Sequence, residues 1–254
     1  NVERLTARYN YTINAMVGAG WADEKYLKMK KLPPIKSRLS SGILAGPKGY
    51  LVAAIQAELN KLGFPDEKLM IGGLIVQTTL NRQAQNAAVN AVDTQGPKSG
   101  PANLHIGLAS VRPGTGAIVA MYGGPDYLKQ QLNNATQGIA QAGSTFKPFV
   151  YALALENNYT PSSLILDAPI VLDQGEDLKM WKPENYGKKF YGLSTLRVGL
   201  EKSRNLMTVR IAQDLGLKKI INLSENLGIY DNPEELLSIS LGSTETTLLK
   251  LTSA

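Results

Sequence analysis

The sequence predicts an α+β fold, and two observations support this prediction. The first is a pair of apolar runs, "NLHIGLASV" and "GAIVAMYGG", separated by "RPGTG". Pro113 and the two glycines of that separator supply turn dihedrals, so the runs predict a β-hairpin. The second is helical periodicity in most of the remaining chain, with helices predicted at about 144–157, 195–202, 205–215 and 217–227. A hairpin combined with several helices is typical of an α+β domain, and the sequence contains no internal repeat.

The first third of the chain predicts helices around a linker. Apolar side chains repeat at helical spacing up to Gly18, and a second short helix is predicted from Ala22. Residues 33–49 combine Pro, Ser and Gly without periodicity, which indicates a linker and the main boundary. Beyond it, the sequence predicts a helix at about 50–62, a β-rich run in "GGLIVQTTLN" and a helix at 82–92.

Composition excludes several classes of function. The 254 residues are 43% hydrophobic and 19% charged, which fits one large domain or two unequal ones. The net charge of +6 is scattered, so a nucleic-acid partner is not expected, whereas attraction to an anionic polymer or a membrane surface fits. The chain has no cysteine and one histidine, His105, in an apolar strand pattern, so we expect neither a metal site nor a cofactor.

The chain predicts no membrane span of its own. No run approaches the ~18 consecutive apolar residues that a spanning helix needs. Any membrane anchor is therefore expected outside this chain. The sequence begins with Asn and stops inside a helical pattern, so we expect it to be a piece of a longer protein.

The stretch "QAGSTFKPF" contains a candidate nucleophile and base. If a helix begins near Ser144, the spacing of three places the Ser144 and Lys147 side chains on one face, roughly a hydrogen bond apart. Pro148 is tolerated because it lies in the first turn. Burial lowers the pKa of a lysine, and the neutral amine can accept a proton from serine. The alternative is a serine helix cap followed by a solvated lysine, and the pattern alone does not exclude it.

A second polar turn interrupts the helices in "LEKSRNLMTVR". Ser203 offers a hydroxyl that can relay protons, and Asn205 offers an amide that can hold a substrate carbonyl and the lysine. The alternative is an ordinary capping turn in which either residue starts the second helix.

Together these motifs resemble the class A, or bifunctional, penicillin-binding proteins. The resemblance covers most of the chain in the family's order, through "GGLIVQTTLNRQAQNAAVNAV", "GLASVRPGTGAIVAMYGGPDY", "NNATQGIAQAGSTFKPFVYALALENNYTPSS", "LDAPI", "WKPENY", "YGLSTLRVGLEKSRN" and "ISLGSTETTLLKLTSA". It implies the fold shared with serine β-lactamases, in which helices surround a central antiparallel sheet. The C-terminal part of that sheet is expected to be missing from this chain.

The resemblance also implies an activity and its residues. Ser144 would attack the peptide bond between the terminal D-alanines of a peptidoglycan stem peptide, with Lys147 as the general base. Ser203 and Asn205 would relay protons and bind substrate, and an amine of a neighbouring stem peptide would take the acyl group. β-Lactams would acylate Ser144. In "WKPENY", Trp181, Asn185 and Tyr186 would line the substrate groove, although an aromatic packing patch is an equally valid interpretation of them.

The same resemblance divides the chain and places it in the cell. Residues 1–36 would be the helical end of a glycosyltransferase domain, residues 37–71 a linker region, and residues 72–254 an incomplete transpeptidase domain. The longer protein would also use a lipid-linked precursor. It would act at the extracytoplasmic, periplasmic face of the bacterial inner membrane, anchored by a segment outside this chain.

One departure from the family is clear in the sequence. The third motif, Lys-Thr-Gly or Lys-Ser-Gly, is not found between Asn205 and Ala254. Lys98-Ser99-Gly100 precedes the nucleophile and is interpreted as a chance match. We therefore expect these 254 residues to be catalytically incomplete and the intact protein to be active.

Three other functions remain as alternatives. A serine β-lactamase would share both motifs but needs a carboxylate to direct the deacylating water, for which Glu184 is the nearest candidate. A phosphate-binding loop would use the spacing from Gly138 to Gly143, but Lys does not directly follow the second glycine. A non-catalytic scaffold of a wall-synthesis complex is the third alternative, if the intact protein also lacks the third motif.

Overall fold

The structure is a computed structural model that describes residues 2–28, 40–71, 73–97, 104–173 and 180–254. The chain divides into two compact units, residues 1–43 and 44–254. Each unit is described by itself below.

The first unit is helical. It contains α1 (Val2–Gly18) and α2 (Lys25–Lys28), and α3 (Ser40–Leu44) begins at its end. The predicted opening helix and its stop at Gly18 are confirmed. Gly20 reverses the chain after α1 with a φ of +73°, in the left-handed region that favours glycine. Within the described ranges of the whole chain, no helix is both long and apolar enough to cross a membrane.

The second unit contains most of the helices and all the strands of the described residues. Its helices are α4 (Lys48–Lys61), α5 (Asp66–Ile71), α6 (Arg82–Gln95), α7 (Lys147–Glu156), α8 (Leu196–Glu201), α9 (Asn205–Leu215), α10 (Leu217–Asn226) and α11 (Leu248–Ser253). Its strands are β1 (Leu108–Val111), β2 (Ile118–Tyr122), β3 (Ile139–Gln141), β4 (Leu164–Asp167), β5 (Gly192–Thr195) and β6 (Glu245–Thr247). Two 3₁₀ turns, Gly143–Phe146 and Leu237–Leu241, complete it.

Helix α4 belongs to the second unit because Tyr50 anchors it there. The Tyr50 hydroxyl donates to the carbonyl of Gln130 at 2.5 Å, and its ring packs edge-on against Tyr127. A Cβ at Gly124 would come within 2.4 Å of the Tyr50 hydroxyl, so the close approach requires glycine. The second compact unit thus begins at Leu44, inside the region predicted as linker. Whether residues 1–36 derive from a glycosyltransferase domain stays a prediction.

The predicted hairpin is confirmed as the antiparallel pair β1–β2, in which Leu108 lies opposite Tyr122. Helix α6 packs on β2, where the Gln85 amide accepts from the Met121 backbone N–H at 2.9 Å and donates to its carbonyl at 2.8 Å. His105 lies outside β1 and is exposed, which corrects its predicted place in a strand.

The β-rich run predicted in "GGLIVQTTLN" is wrong for the described residues 73–81, which form no strand. This segment runs beside β2 with one backbone hydrogen bond, from Asn81 N–H to the Val119 carbonyl at 2.8 Å. Thr79 adds a side-chain bond to the carbonyl of Ile118. Ile75 is 98% exposed, so it lacks the apolar packing that usually supports a residue in a sheet.

The core lies between α7, α9 and α10. Helix α9 buries seven of its eleven residues, and Phe146 at the start of α7 packs against Tyr230 with ring centroids 5.1 Å apart. The predicted helices of this half are confirmed to within one residue at each end, except that α7 begins three residues later than predicted, after the 3₁₀ turn Gly143–Phe146. The α+β prediction is also confirmed, although the strands of the described residues form three antiparallel pairs, β1–β2, β3–β6 and β4–β5, rather than one continuous sheet.

Candidate functional site

Ser144 lies in the 3₁₀ turn Gly143–Phe146, immediately before α7. In a 3₁₀ turn residues i and i+3 eclipse each other, so Ser144 and Lys147 share one face as the spacing predicted. Pro148 occupies the first turn of α7, where a backbone N–H would have no acceptor within the helix, so its absence costs no helical hydrogen bond. The Ser144 residue is exposed and thus open to a substrate.

The structure corrects the interpretation of Ser144 as a helix cap. The N-cap position of α7 is Phe146, and no side chain caps the helix there. Within the turn it is the Thr145 hydroxyl that bonds to the backbone, donating to the Ala142 carbonyl. The Ser144 hydroxyl therefore does not cap the start of the helix.

The turn that carries Ser144 is supported from β6 and the residues before it. Gly143 has a φ of +55° and donates its N–H to the Gly242 carbonyl at 2.8 Å. A Cβ at Gly242 would lie 2.1 Å from the Gly143 carbonyl oxygen, and Gly242 itself has a φ of +74°. The close approach therefore requires glycine at 242, whereas at 143 a Cβ would meet nothing within 4 Å and glycine is favoured by the positive φ alone.

Lys147 is buried, with 1% of its surface exposed, and its ammonium reaches three oxygens. Nζ donates to the Ser203 carbonyl at 2.7 Å, to the Ser203 hydroxyl at 3.0 Å and to Asn205 Oδ1 at 2.5 Å. All three acceptors are uncharged. Burial without a carboxylate partner lowers the pKa of Lys147 from 10.5 to about 8, so a useful fraction is neutral near physiological pH.

The Ser203–Asn205 turn connects α8 to α9 and holds a sparsely populated backbone conformation. Ser203 has a φ of +52°, which is uncommon for a residue with a Cβ. Its N–H donates to the Leu200 carbonyl at 3.0 Å, and this geometry turns both its carbonyl and its hydroxyl toward Lys147. Such strain persists where the surroundings enforce it and is concentrated at functional sites.

The structure thus brings together Lys147, Ser203 and Asn205, which the sequence singled out in separate motifs. The predicted Ser144–Lys147 hydrogen bond, in contrast, is not formed in the structure. Among the contacts of the described residues, the Ser144 hydroxyl makes no hydrogen bond. The three bonds of the Lys147 ammonium all run to the turn after α8, and loss of one proton frees a lone pair on Nζ. In unliganded sites such bonds are often long and tighten only with substrate.

The segment "WKPENY" lies against the Ser203–Asn205 turn, but its predicted groove residues have different environments. Tyr186 is fully exposed. Trp181 pairs with Leu172 through two backbone hydrogen bonds of 2.8 and 2.9 Å. Asn185 is 4% exposed and its side-chain amide is hydrogen-bonded to the residues around it, so it faces the turn and not an open groove.

Glu184 contacts the same turn through its backbone. Its carbonyl accepts from Asn205 Nδ2 at 2.7 Å, while the residue as a whole is exposed. Glu184 therefore contacts the site through its main-chain carbonyl and not through its carboxylate.

Two polar residues near the turn were not singled out from the sequence. Asp167, at the end of β4, is fully buried and accepts from Asn185 Nδ2 at 2.7 Å. Arg204 lies with its guanidinium 3.4 Å from the centre of the Tyr191 ring and 3.8 Å from Asp167 Oδ2. The available signal was the aspartate that ends the apolar run "LILD", because a charged residue in a strand that is otherwise apolar needs a partner.

The phosphate-loop alternative does not fit the structure. Residues Ile139–Gln141, between the two glycines, form β3 and pair with β6. An extended strand cannot wrap its N–H groups around a phosphate. The chance match Lys98-Ser99-Gly100 lies outside the described residues.

Comparison with known proteins agrees with this geometry. The sequence pattern of the penicillin binding protein transpeptidase domain matches residues 107–245, more than half of the chain. The chain belongs to the penicillin-binding protein transpeptidase family. The members of this family are serine-type D,D-transpeptidases, and the predicted resemblance is confirmed.

Named relatives agree with this family. Penicillin-binding protein 1A of Rickettsia bellii is 45% identical over 144 residues, covering 57% of this chain and 18% of that protein. Penicillin-binding protein 1A of Neisseria flavescens is 40% identical over 148 residues, with the same two coverages. The chain therefore spans less than a fifth of the length of these relatives.

Solved structures show the same fold. The crystal structure of penicillin-binding protein 1A from Haemophilus influenzae matches with a TM-score of 0.54 and 36% identity, over 57% of this chain and 22% of that one. The penicillin-binding protein PonA1 from Mycobacterium tuberculosis matches with a TM-score of 0.70, over 81% of this chain and 55% of that one. Its 24% identity supports the fold alone.

Proposed function

We propose that this chain carries the acylation centre of a peptidoglycan D,D-transpeptidase, with Ser144 as the nucleophile and Lys147 as its base. The observation that carries the proposal is the convergence of Ser203 and Asn205 on the buried Lys147 amine, one 3₁₀ turn from the exposed Ser144. Family membership supports the reaction class.

In the first step the neutral Lys147 amine takes the Ser144 hydroxyl proton as Oγ attacks the carbonyl of the penultimate D-alanine. The peptide C–N bond breaks, the new ester C–O bond forms, and the terminal D-alanine leaves once its nitrogen has gained a proton. The Ser203 hydroxyl, 3.0 Å from Nζ, is placed to pass the Lys147 proton to that nitrogen. An amine of a second stem peptide then attacks the ester, forms the cross-link and releases Ser144.

The turn before α7 favours the charge that develops in this step. The first backbone N–H groups of the helical segment have no acceptors within it, and the partial positive charge of a helix start stabilises an oxyanion. Ser144 is near this end of the segment, and the hydrogen-bond partners of the Lys147 amine among the described residues include no carboxylate that would oppose the charge. A third motif with a cation for the substrate carboxylate is not found after Asn205, so the activity is proposed for the full-length protein.

β-Lactams are proposed to acylate Ser144. The PonA1 protein has been solved in complex with penicillin V, and penicillin-binding protein A of Mycobacterium tuberculosis as an imipenem acyl-enzyme. Acylation of a serine by a β-lactam uses the same base and the same attack, because the strained lactam amide replaces the D-Ala-D-Ala bond.

The test is labelling of the full-length protein with a fluorescent penicillin. We expect one covalent label per molecule in the wild type and none in Ser144→Ala. The control Ser163→Ala, which removes a partly exposed hydroxyl that accepts from the Thr160 N–H in the turn before β4, should leave labelling unchanged. Labelling that survives Ser144→Ala would remove the nucleophile assignment. Rapid turnover of a chromogenic cephalosporin would instead favour the β-lactamase alternative.

The remaining proposals concern the longer protein. By its resemblance to class A members, it is proposed to polymerise a lipid-linked precursor and to act at the periplasmic face of the inner membrane, anchored outside this chain. Glycan polymerisation that persists in Ser144→Ala while cross-linking stops would support two separate activities. Loss of both together would contradict them.

A further inference from the structure

Asn185 caps helix α9 from another part of the chain. Its Oδ1 accepts from the backbone N–H of Asn205 at 2.9 Å and from that of Leu206 at 3.4 Å. The residue at the N-cap position, Arg204, makes no capping bond with its own side chain. The first N–H groups of a helix need an acceptor, and a loop side chain provides it here.

The Asn185 amide has a single orientation in this environment. Its Nδ2 donates to Asp167 Oδ1 at 2.7 Å and to the Lys189 carbonyl at 2.9 Å. With two bonds accepted and two donated, its hydrogen-bonding capacity is filled. A flipped amide would set its donors against backbone N–H groups and its acceptor against two oxygens, so the flip is excluded.

The same loop fixes the side chain of Asn205. Asn205 Nδ2 donates to the Glu184 carbonyl at 2.7 Å, which leaves Oδ1 directed at Lys147 Nζ, 2.5 Å away. Residues 184 and 185 therefore hold both the backbone and the side chain of Asn205. If this loop shifted, the amide of Asn205 would be free to rotate away from the amine.

Asp167 anchors both sides of the turn. One of its oxygens accepts a hydrogen bond from Asn185, and the other makes no hydrogen bond among the described residues but lies 3.8 Å from the guanidinium of Arg204, within reach of charge attraction. Arg204 is the central residue of the Ser203–Asn205 turn and is also stacked on Tyr191. Burying a carboxylate is costly unless it is paired, so this fully buried aspartate needs both partners.

We propose that Asn185 and Asp167 are positioning residues that hold the Ser203–Asn205 turn in contact with Lys147. Neither residue has a bond to Lys147 or Ser144 among the contacts of the described residues, so they act through Asn205 and Arg204. The inference rests on the proposed acylation chemistry, because its consequence is a correctly placed and desolvated lysine base.

The test measures the single-turnover rate constant for acylation of the full-length protein by a fluorescent penicillin, between pH 6 and pH 10. The rate constant reports the folded molecules, whereas the amplitude reports how many are folded. For Asn185→Ala we expect a fall of about ten- to a hundred-fold at pH 7, the size expected for a misplaced catalytic group. The pH midpoint of the rate is expected to rise, because water that reaches Lys147 reverses part of its desolvation.

The matched control is Asn81→Ala. Asn81 caps α6 with its own side chain, accepting from the Ala84 N–H at 2.9 Å, and α6 packs on β2. The Asn81→Ala substitution removes a helix cap of the same kind, at a distance from the Ser203–Asn205 turn. We expect a lower unfolding temperature with an unchanged rate constant and an unchanged pH midpoint.

A donor–acceptor exchange keeps the proposal testable if Asn185→Ala does not fold. Asn185→Asp alone places two carboxylates in contact and is expected to slow acylation. Adding Asp167→Asn restores one hydrogen bond with its direction reversed, from the new amide to the new carboxylate, and is expected to recover most of the lost rate.

Three outcomes separate this inference from the proposed function. Wild-type rates and pH midpoints in Asn185→Ala, or an exchange variant no faster than Asn185→Asp, would overturn the positioning role while leaving Ser144 as the nucleophile. Absence of labelling in the wild type would instead overturn the proposed function itself.

Discussion

The pH dependence of acylation is the sharpest consequence of the buried Lys147. The folded pKa of about 8 lies below the ordinary lysine value of 10.5, and the active form of a base is the neutral one. At pH 7 a pKa of about 8 leaves about a tenth of the amine neutral, against about 0.03% for an unshifted lysine. Burial therefore increases the available base about 300-fold at that pH.

The expected profile follows from the sign of this shift. The single-turnover acylation rate by a fluorescent penicillin should rise about ten-fold per pH unit below pH 7 and level off above about 8. Lys147→Arg retains a cation but supplies no base at these pH values, so acylation should fall by about 10²- to 10⁴-fold. A flat profile, or a midpoint near 10, would refute the assignment of Lys147 as a buried base.

The remaining predictions concern stability and the Ser203–Asn205 turn. Between pH 8 and 10.5 the folded chain binds fewer protons at Lys147 than the unfolded chain, so this residue should make unfolding harder as pH rises through that window, as chemical denaturation can measure. Both Ser203→Gly and Ser203→Ala should lose acylation by removing the hydroxyl. At a φ of +52°, the glycine variant should nevertheless be more stable than the alanine variant by about 1 kcal/mol, and equal unfolding midpoints would count against backbone strain. Gly242→Ala should destabilise the fold by at least ~1–3 kcal/mol, because its Cβ would meet the Gly143 carbonyl; unchanged thermal unfolding would contradict the close approach.

Local patterns in the sequence were enough to predict most of the helices and the hairpin. The helical periods of 205–215 and 217–227 reflect faces buried in the core, and "RPGTG" has the residues that a tight reversal needs. The extended segment 73–81 was misjudged because its strand-like composition has too few backbone partners beside β2. Apolar alternation does not show whether a neighbouring strand is present.

The site was partly predictable for the same reason. Ser144 and Lys147 are close in sequence, so their shared face follows from helical geometry. The link between Lys147 and the Ser203–Asn205 turn spans more than fifty residues. The residue types allowed this link as one of two interpretations of the turn, and the resemblance was what favoured it. The contact between Asp167 and Asn185 could not be predicted from the sequence, because a long-range hydrogen bond between two polar side chains leaves no periodic signal in either segment.

The contact between Gly143 and Gly242 makes the support of the nucleophile depend on a later part of the chain. Bringing together two residues that are far apart in the sequence costs chain entropy. This cost is offset only when the contacts between them form. The bond from the Gly143 N–H to the Gly242 carbonyl joins the start of the Ser144 turn to a residue made much later in translation. A nascent chain that has already exposed Ser144, Ser203 and Asn205 would still lack this support, so the protein should become reactive toward penicillin only after β6 has emerged.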